Sequence, residues 1–70
     1  MSQAPITPEE LAEAIAELET YRERLVNDTL TVAERAKVLK AKALAQIEPD
    51  LTKIDATLAQ LRAQHAQTNP

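Results

Sequence analysis

The side chains that could do chemistry are few and isolated. The 70-residue chain has one histidine, His65, one serine, Ser2, and no cysteine. Nucleophilic catalysis needs a nucleophile next to a base, and the only serine lies at the N-terminal end of the chain. Glycine is absent, which excludes the glycine-rich loops that bind phosphates and dinucleotides. We therefore expect no enzyme, no catalytic residue and no cofactor.

A row of glutamates is the pattern closest to a metal site. Glu9, Glu13 and Glu17 follow one another at four-residue spacing, which places them on one face of a helix. Helical di-metal sites also need a histidine three residues after a glutamate, and no glutamate in this chain has one. We predict a solvated acidic face and no metal site.

Four cations lie close together in the second half of the chain. They are Arg35, Lys37, Lys40 and Lys42, with no acidic residue between them. Such a cluster could contact the phosphates of a nucleic acid. The whole chain has a net charge of −3 and one aromatic residue, Tyr21, so we expect the cations to pair with an acidic first helix. All four cations remain candidates for partner binding, as does Tyr21, because exposed tyrosines are frequent hot-spot residues.

Capping signals predict an all-α chain that folds as an antiparallel helical hairpin. The segment Thr7-Pro8-Glu9-Glu10 has the residues of a capping box and should start the first helix. We expect this helix to end near Asn27. Thr31-Val32-Ala33-Glu34 repeats the signal, so a second helix should follow a short connection at 27–31. Apolar spacing then predicts a core within the hairpin formed by Leu11, Ile15, Leu18, Leu25, Val32 and Leu39.

A long apolar seam runs along the second helix. Pro49 lies inside this seam and should either kink one long helix or break it into two. The seam keeps its phase across Pro49, which favours the long kinked helix. Its members alternate steps of three and four residues, the heptad spacing of coiled coils: Leu44, Ile47, Leu51, Ile54, Leu58 and Leu61.

The predicted helices differ in length, and this difference has a consequence for assembly. Folding back at 27–31 leaves Leu51 to Leu61 beyond the end of the first helix. A second chain should cover them, which predicts a homodimer that forms a four-helix bundle with the seam as its oligomer interface. The alternative is a monomeric three-helix bundle broken at Pro49. The same register predicts ion pairs of Glu23 with Arg35 and Lys37, of Glu19 with Lys40, and of Glu17 with Lys42.

Together these patterns predict a single helical domain at residues 7–66, with a disordered arm at 1–6 and a disordered tail at 67–70. No leader or bilayer-length apolar run is visible, so we expect a cytoplasmic protein without membrane or small-molecule ligands. The predicted function is that of a non-enzymatic helical protein–protein interaction module, acting as an adaptor, inhibitor or assembly factor. The alternative is a small nucleic-acid-associated protein that uses the basic cluster at 35–42. His65 could sense pH at an interface or stabilise the C-terminus of its helix.

Overall fold

The computed structural model describes residues 6–68, with the backbone alone for Thr68. It consists of two helices of 29 residues each, α1 (Pro8–Ala36) and α2 (Lys40–Thr68), which pack against each other. The prediction of an all-α helical hairpin is confirmed. Residues 1–5 and 69–70, which carry all but one residue of the predicted arm and half of the predicted tail, lie outside the described residues. The prediction of a disordered tail is wrong for residues 67 and 68, because α2 continues to Thr68.

The first helix begins as its capping signal predicts. The Thr7 hydroxyl accepts a hydrogen bond from the Glu10 backbone N–H at 3.1 Å, and the Thr7 backbone N–H donates to the Glu10 carboxylate at 3.2 Å. Pro8 occupies the first turn, where a missing N–H removes no helical bond. This capping box fixes the start of α1 by local chemistry alone.

The turn lies at residues 37–39, so the prediction of a connection at 27–31 is wrong. Residues 27–31 continue α1, and the chain reverses after Ala36. Lys37 adopts the left-handed conformation with φ 59° and ψ 39°. Its N–H donates to the Glu34 carbonyl at 3.3 Å, and the Val38 N–H donates to the Ala33 carbonyl at 2.9 Å. These two bonds form a Schellman closure, which satisfies carbonyls that the end of a helix leaves unpaired.

The second helix passes through Pro49 without a break, so the three-helix alternative is wrong. Proline has no N–H to donate to the carbonyl of Ala45. Both Pro49 and Ala45 are exposed, so water can hydrogen-bond that carbonyl in place of the missing donor. The seam on the opposite side of α2 keeps its contacts with α1, and the helix continues.

Equal helix lengths change the register that was expected from the sequence. Arg22 pairs with Asp55 and Glu19 pairs with Arg62, which places the second half of α2 beside the first half of α1. The prediction that Leu51 to Leu61 overhang the first helix is therefore wrong. All of the seam lies level with α1.

The core is a single layer of side chains between the two helices. Among the residues that the structure describes, three apolar side chains are buried: Leu11, Ala33 and Leu58. The remaining apolar residues of the stripe are half-buried because each has only one neighbouring helix to cover it. They are Ile15, Leu18, Leu25, Val26 and Leu30 on α1, and Leu44, Ile47, Leu51, Ile54 and Leu61 on α2.

Candidate functional site

The helices leave a groove on each side of the hairpin, and one of these is crossed by ion pairs. Arg22 donates two hydrogen bonds to the Asp55 carboxylate, from Nε to Oδ1 at 2.7 Å and from Nη2 to Oδ2 at 3.2 Å. Arg62 bonds Glu19 nearer the chain ends. We call this the ion-pair side. It is lined by Glu19, Arg22, Glu23, Val26, Asp55, Leu58 and Arg62.

The bidentate pair alters the protonation of both of its members. The hydrogen bond from Arg22 lowers the pKa of the Asp55 carboxyl, and the attraction of Arg62 lowers it further. The same hydrogen bond to Asp55 raises the pKa of Arg22. Both side chains remain well exposed to solvent, so the pair stabilises the register of the helices more than their packing.

The opposite groove lies next to the turn and has a mostly apolar lining. A helix advances about 100° per residue, so Asp28 lies about 180° around α1 from Glu19, on the other side of the hairpin. We call this cavity, with a volume of about 370 Å³, the turn groove. It is lined by Asp28, Thr29, Val32, Ala33, Ala36, Val38, Ala43, Gln46 and Ile47.

Large apolar side chains are exposed around the turn groove. Val32 is 62% exposed, Val38 43% and Leu39 77%. Tyr21 is 57% exposed and lies eleven residues before Val32, which brings it to within about 20° of Val32 around the helix. We call the side of the hairpin that carries Tyr21 and the turn groove the open side. Among the described residues no ion pair crosses it.

The four candidate cations surround the turn, and the structure does not pair them as expected. All four are exposed. Lys40 lies 3.8 Å from Glu34, whereas Arg35, Lys37 and Lys42 make no ion pair or side-chain hydrogen bond with the rest of residues 6–68. The expected pairs with Glu17, Glu19 and Glu23 are wrong, because α1 continues to Ala36. Glu17 and Glu19 therefore lie in the half of α1 remote from the turn, and Glu23 lies near its midpoint.

Two members of the predicted hairpin core lie outside it. Leu11 is buried and Ile15, Leu18 and Leu25 are half-buried, as a core requires. Val32 and Leu39 are exposed instead, because Val32 lies at the rim of the turn groove and Leu39 precedes the first turn of α2. The six seam residues that were expected to meet a second chain are covered in part by α1, and Leu58 fully so.

Metal-binding and membrane-spanning features are not found in the described part of the chain. Within residues 6–68, no group of three or more His, Cys, Asp or Glu side chains is placed to hold a metal ion. Neither α1 nor α2 combines the length and apolar character needed to cross a bilayer. His65 is half-buried in the last turns of α2, so its predicted role in pH sensing or capping stays a prediction.

Comparison with known proteins places this hairpin in a family. A family model described as a domain of unknown function (DUF8630) matches residues 9–70. The matched stretch includes nearly all of α1 and the whole of α2, so the turn groove and the open side fall within it. No curated protein and no solved structure matches the chain.

Proposed function

The chain belongs to the DUF8630 family, and we propose that it is a non-enzymatic protein–protein interaction module that binds through the open side. Such a module would act as an adaptor, inhibitor or assembly factor in the cytoplasm. The observation that carries the proposal is the exposure of Val32, Val38 and Leu39 around an apolar groove. Clustered exposed apolar residues beside polar ones are typical of surfaces that a partner covers.

The amount of exposed surface supports this proposal. The chain has 5692 Å² of accessible surface, whereas a compact monomer of its mass would have about 4,300 Å². Its radius of gyration is 15.9 Å, against about 11 Å for a compact domain of 70 residues. The excess of about 1,400 Å² is larger than the roughly 800 Å² that each partner contributes to a standard interface. A partner could therefore bury a standard interface on this chain, and the accessible surface that remained would still be no smaller than that of a compact monomer.

We propose that the first such partner is a second copy, giving a homodimer that forms a four-helix bundle. The half-buried seam supports this, because a second hairpin on the open side would finish burying Leu25, Ile47 and Leu61. Two helices also make a core too small for ordinary stability, and oligomerisation is a common remedy. A kink of α2 at Pro49 belongs to the same proposal, since a curved helix follows a neighbour more closely.

Light scattering on a size-exclusion column, over a hundredfold range of concentration, tests the dimer. We expect a mass of about 15 kDa, twice the 7.7 kDa of the chain. Tyr21→Glu should lower the mass towards that of the monomer, because it places a charge in the proposed interface. Thr20→Glu is the matched control, since Thr20 is exposed about 100° further around α1. A native chain that stays monomeric at millimolar concentration would overturn the dimer.

The second candidate function is nucleic-acid association through the basic cluster. It is favoured by Arg35, Lys37 and Lys42, which make no ion pair with the other residues of 6–68, so that their charges could bind phosphates. A mobility-shift assay at low salt with duplex DNA and with single-stranded RNA tests it. Binding that weakens with salt and is lost in Lys37→Glu/Lys40→Glu would support this function. Unchanged mobility of both nucleic acids at micromolar protein would exclude it.

A further inference from the structure

The hairpin is electrically polar along its length. Five glutamates lie in the first half of α1, at the end with the chain termini: Glu9, Glu10, Glu13, Glu17 and Glu19. The four cations of the basic cluster lie at the turn. Asp28, Glu34 and Glu48 share the turn end, so residues 28–48 carry four cations and three acids, a net charge of +1. Residues 6–22 and 55–68, at the end with the chain termini, carry six acids and two cations, a net charge of −4. Each hairpin therefore has a strongly acidic end and a weakly basic end.

The exposed tyrosine lies halfway between these ends. Helix α1 runs from Pro8 to Ala36, so Tyr21 is within one residue of its midpoint. It lies on the open side, whereas Glu23 lines the ion-pair side, about 160° away around the helix. A large amphipathic side chain at the centre of an uncovered face has the position that interface hot spots usually have.

We propose that a second copy of this chain covers the open side with its turn at the opposite end, and that the two copies of Tyr21 meet at the two-fold axis. This inference rests on the dimer proposed above. A two-fold axis perpendicular to the helices sets α1 antiparallel to α1 of the other copy. Residue i then faces about residue 44 − i, because residue 22 is the midpoint. Glu10, which lies about 20° from Tyr21 around α1, is then near Arg35 of the other copy, and the acidic ends meet the turns.

The other symmetric arrangement has its axis parallel to the helices and both turns at one end. It would bring together the two acidic ends, each with a net charge of −4. It would also place α1 across from α2 of the second copy, so the two tyrosines would lie diagonally apart. Repulsion between like charges disfavours this arrangement, as it does wrong pairings in coiled coils. The charge pattern thus selects an orientation that the apolar surface alone leaves open.

Disulfide trapping tests this geometry, because the chain has no cysteine of its own. We expect Tyr21→Cys to oxidise to a covalent dimer at a concentration where light scattering shows the reduced variant to be dimeric. Val32→Cys and Glu23→Cys should stay reduced under the same conditions. Val32 is on the open side but far from the axis, and Glu23 is near the axis level but on the ion-pair side.

Each outcome of the trapping experiment separates the orientation from the dimer itself. A dimer in which Tyr21→Cys does not cross-link would overturn the orientation and leave the proposed function standing. A dimer cross-linked through Glu23→Cys would show that the ion-pair side is the interface, which overturns the orientation as well. A native chain that remains monomeric in light scattering would remove both proposals.

Charge reversal at the turn gives a second test that does not depend on keeping Tyr21. With the turns at opposite ends, Arg35→Glu sets like charges beside Glu10 at two symmetric positions. We expect the dissociation constant of the dimer to rise about two- to thirtyfold at low salt, with little change in 1 M salt. With both turns at one end, the same substitution would relieve repulsion and tighten the dimer. A lowered dissociation constant would therefore refute the proposed orientation.

Discussion

Replacing Lys37 by glycine should stabilise this protein, although glycine weakens most helical chains. Lys37 has φ 59° and ψ 39°, a conformation that costs an L-amino acid about 1–2 kcal/mol. Glycine adopts it freely, but its greater freedom in the unfolded chain takes back about 0.5–1 kcal/mol. The net gain should be about 0.5–1 kcal/mol, which raises the melting temperature of a domain of this size by about 2–8 °C.

Thermal and urea unfolding followed by circular dichroism measure this gain. Native and variant chains must be compared at one protein concentration, because the stability of an oligomer depends on concentration. Lys37→Ala is the control. Alanine removes the same charge but keeps the Cβ atom that makes the left-handed conformation costly, so it should give no comparable gain. A gain shared equally by both variants would assign the effect to charge.

The sign of the change also tests where the chain turns. If the turn were at 27–31, position 37 would lie inside a helix. Glycine there would lower the free energy of unfolding by about 0.5–1 kcal/mol. A destabilised Lys37→Gly variant would therefore refute the turn at 37–39 and the register built on it.

Three further predictions follow from the packing and charges of the hairpin. Pro49→Ala should raise the melting temperature, because it restores a helical hydrogen bond at an exposed position and could add up to about 3 kcal/mol. Leu58→Ala should lower the free energy of unfolding by about 3–5 kcal/mol. In so small a protein this loss is enough to abolish most of the helical circular dichroism at 25 °C. Leu51→Ala should lower the free energy of unfolding by less, because Leu51 is only half-buried. The hydrogen bond from Arg22 lowers the pKa of Asp55 in the folded chain. The stability that this pair adds is therefore complete at pH values above the ordinary pKa of 3.8. It is lost as the pH falls through the lowered pKa. Melting curves of native protein and Asp55→Asn should accordingly differ at neutral pH and converge in acid.

Local chemistry made several elements of the fold predictable from sequence. The capping box of Thr7 and Glu10 needs only residues that are neighbours in the chain, and the structure forms it as expected. The heptad spacing from Leu44 to Leu61 indicated one long helix despite Pro49, and α2 is continuous there. In each case the signal is read from residues within one heptad, about two turns of helix, where neighbours in sequence are also neighbours in space.

The turn could not be located from local signals because they favour a different place. Asn27, Asp28 and Thr29 are residues that favour caps and turns, yet they continue α1, where packing against α2 outweighs their weak preference. A tertiary argument would have found the turn. The seam from Leu44 to Leu61 needs an apolar stripe on the first helix along its whole length. Only a first helix that continues as far as Ala33 supplies one.

The candidate site was predictable in its residues and not in its surroundings. The sequence singled out Tyr21 and the basic cluster, and the structure exposes all of them. It could not supply the turn groove, because Val32 and Val38 come together only when the chain reverses at Lys37. The ion pairs of the basic cluster were mispredicted for the same reason, since each depended on the position of the turn.

The two helix starts differ in a way that connects the missed turn to the proposed interface. α1 begins with a capping box, whereas α2 begins after an exposed Leu39, with Lys40 in a first turn that has no acidic residue. A serine or aspartate in place of Leu39 would stabilise α2 by about 1 kcal/mol, and a cation at a helix N-terminus opposes the dipole. A sequence optimised for folding alone would avoid both. Sequence rules for helix capping and charge fail most often where residues serve a contact outside the fold. Here they fail at the turn end of the open side, which is basic and apolar. The proposed dimer places the glutamates of the second copy at this end.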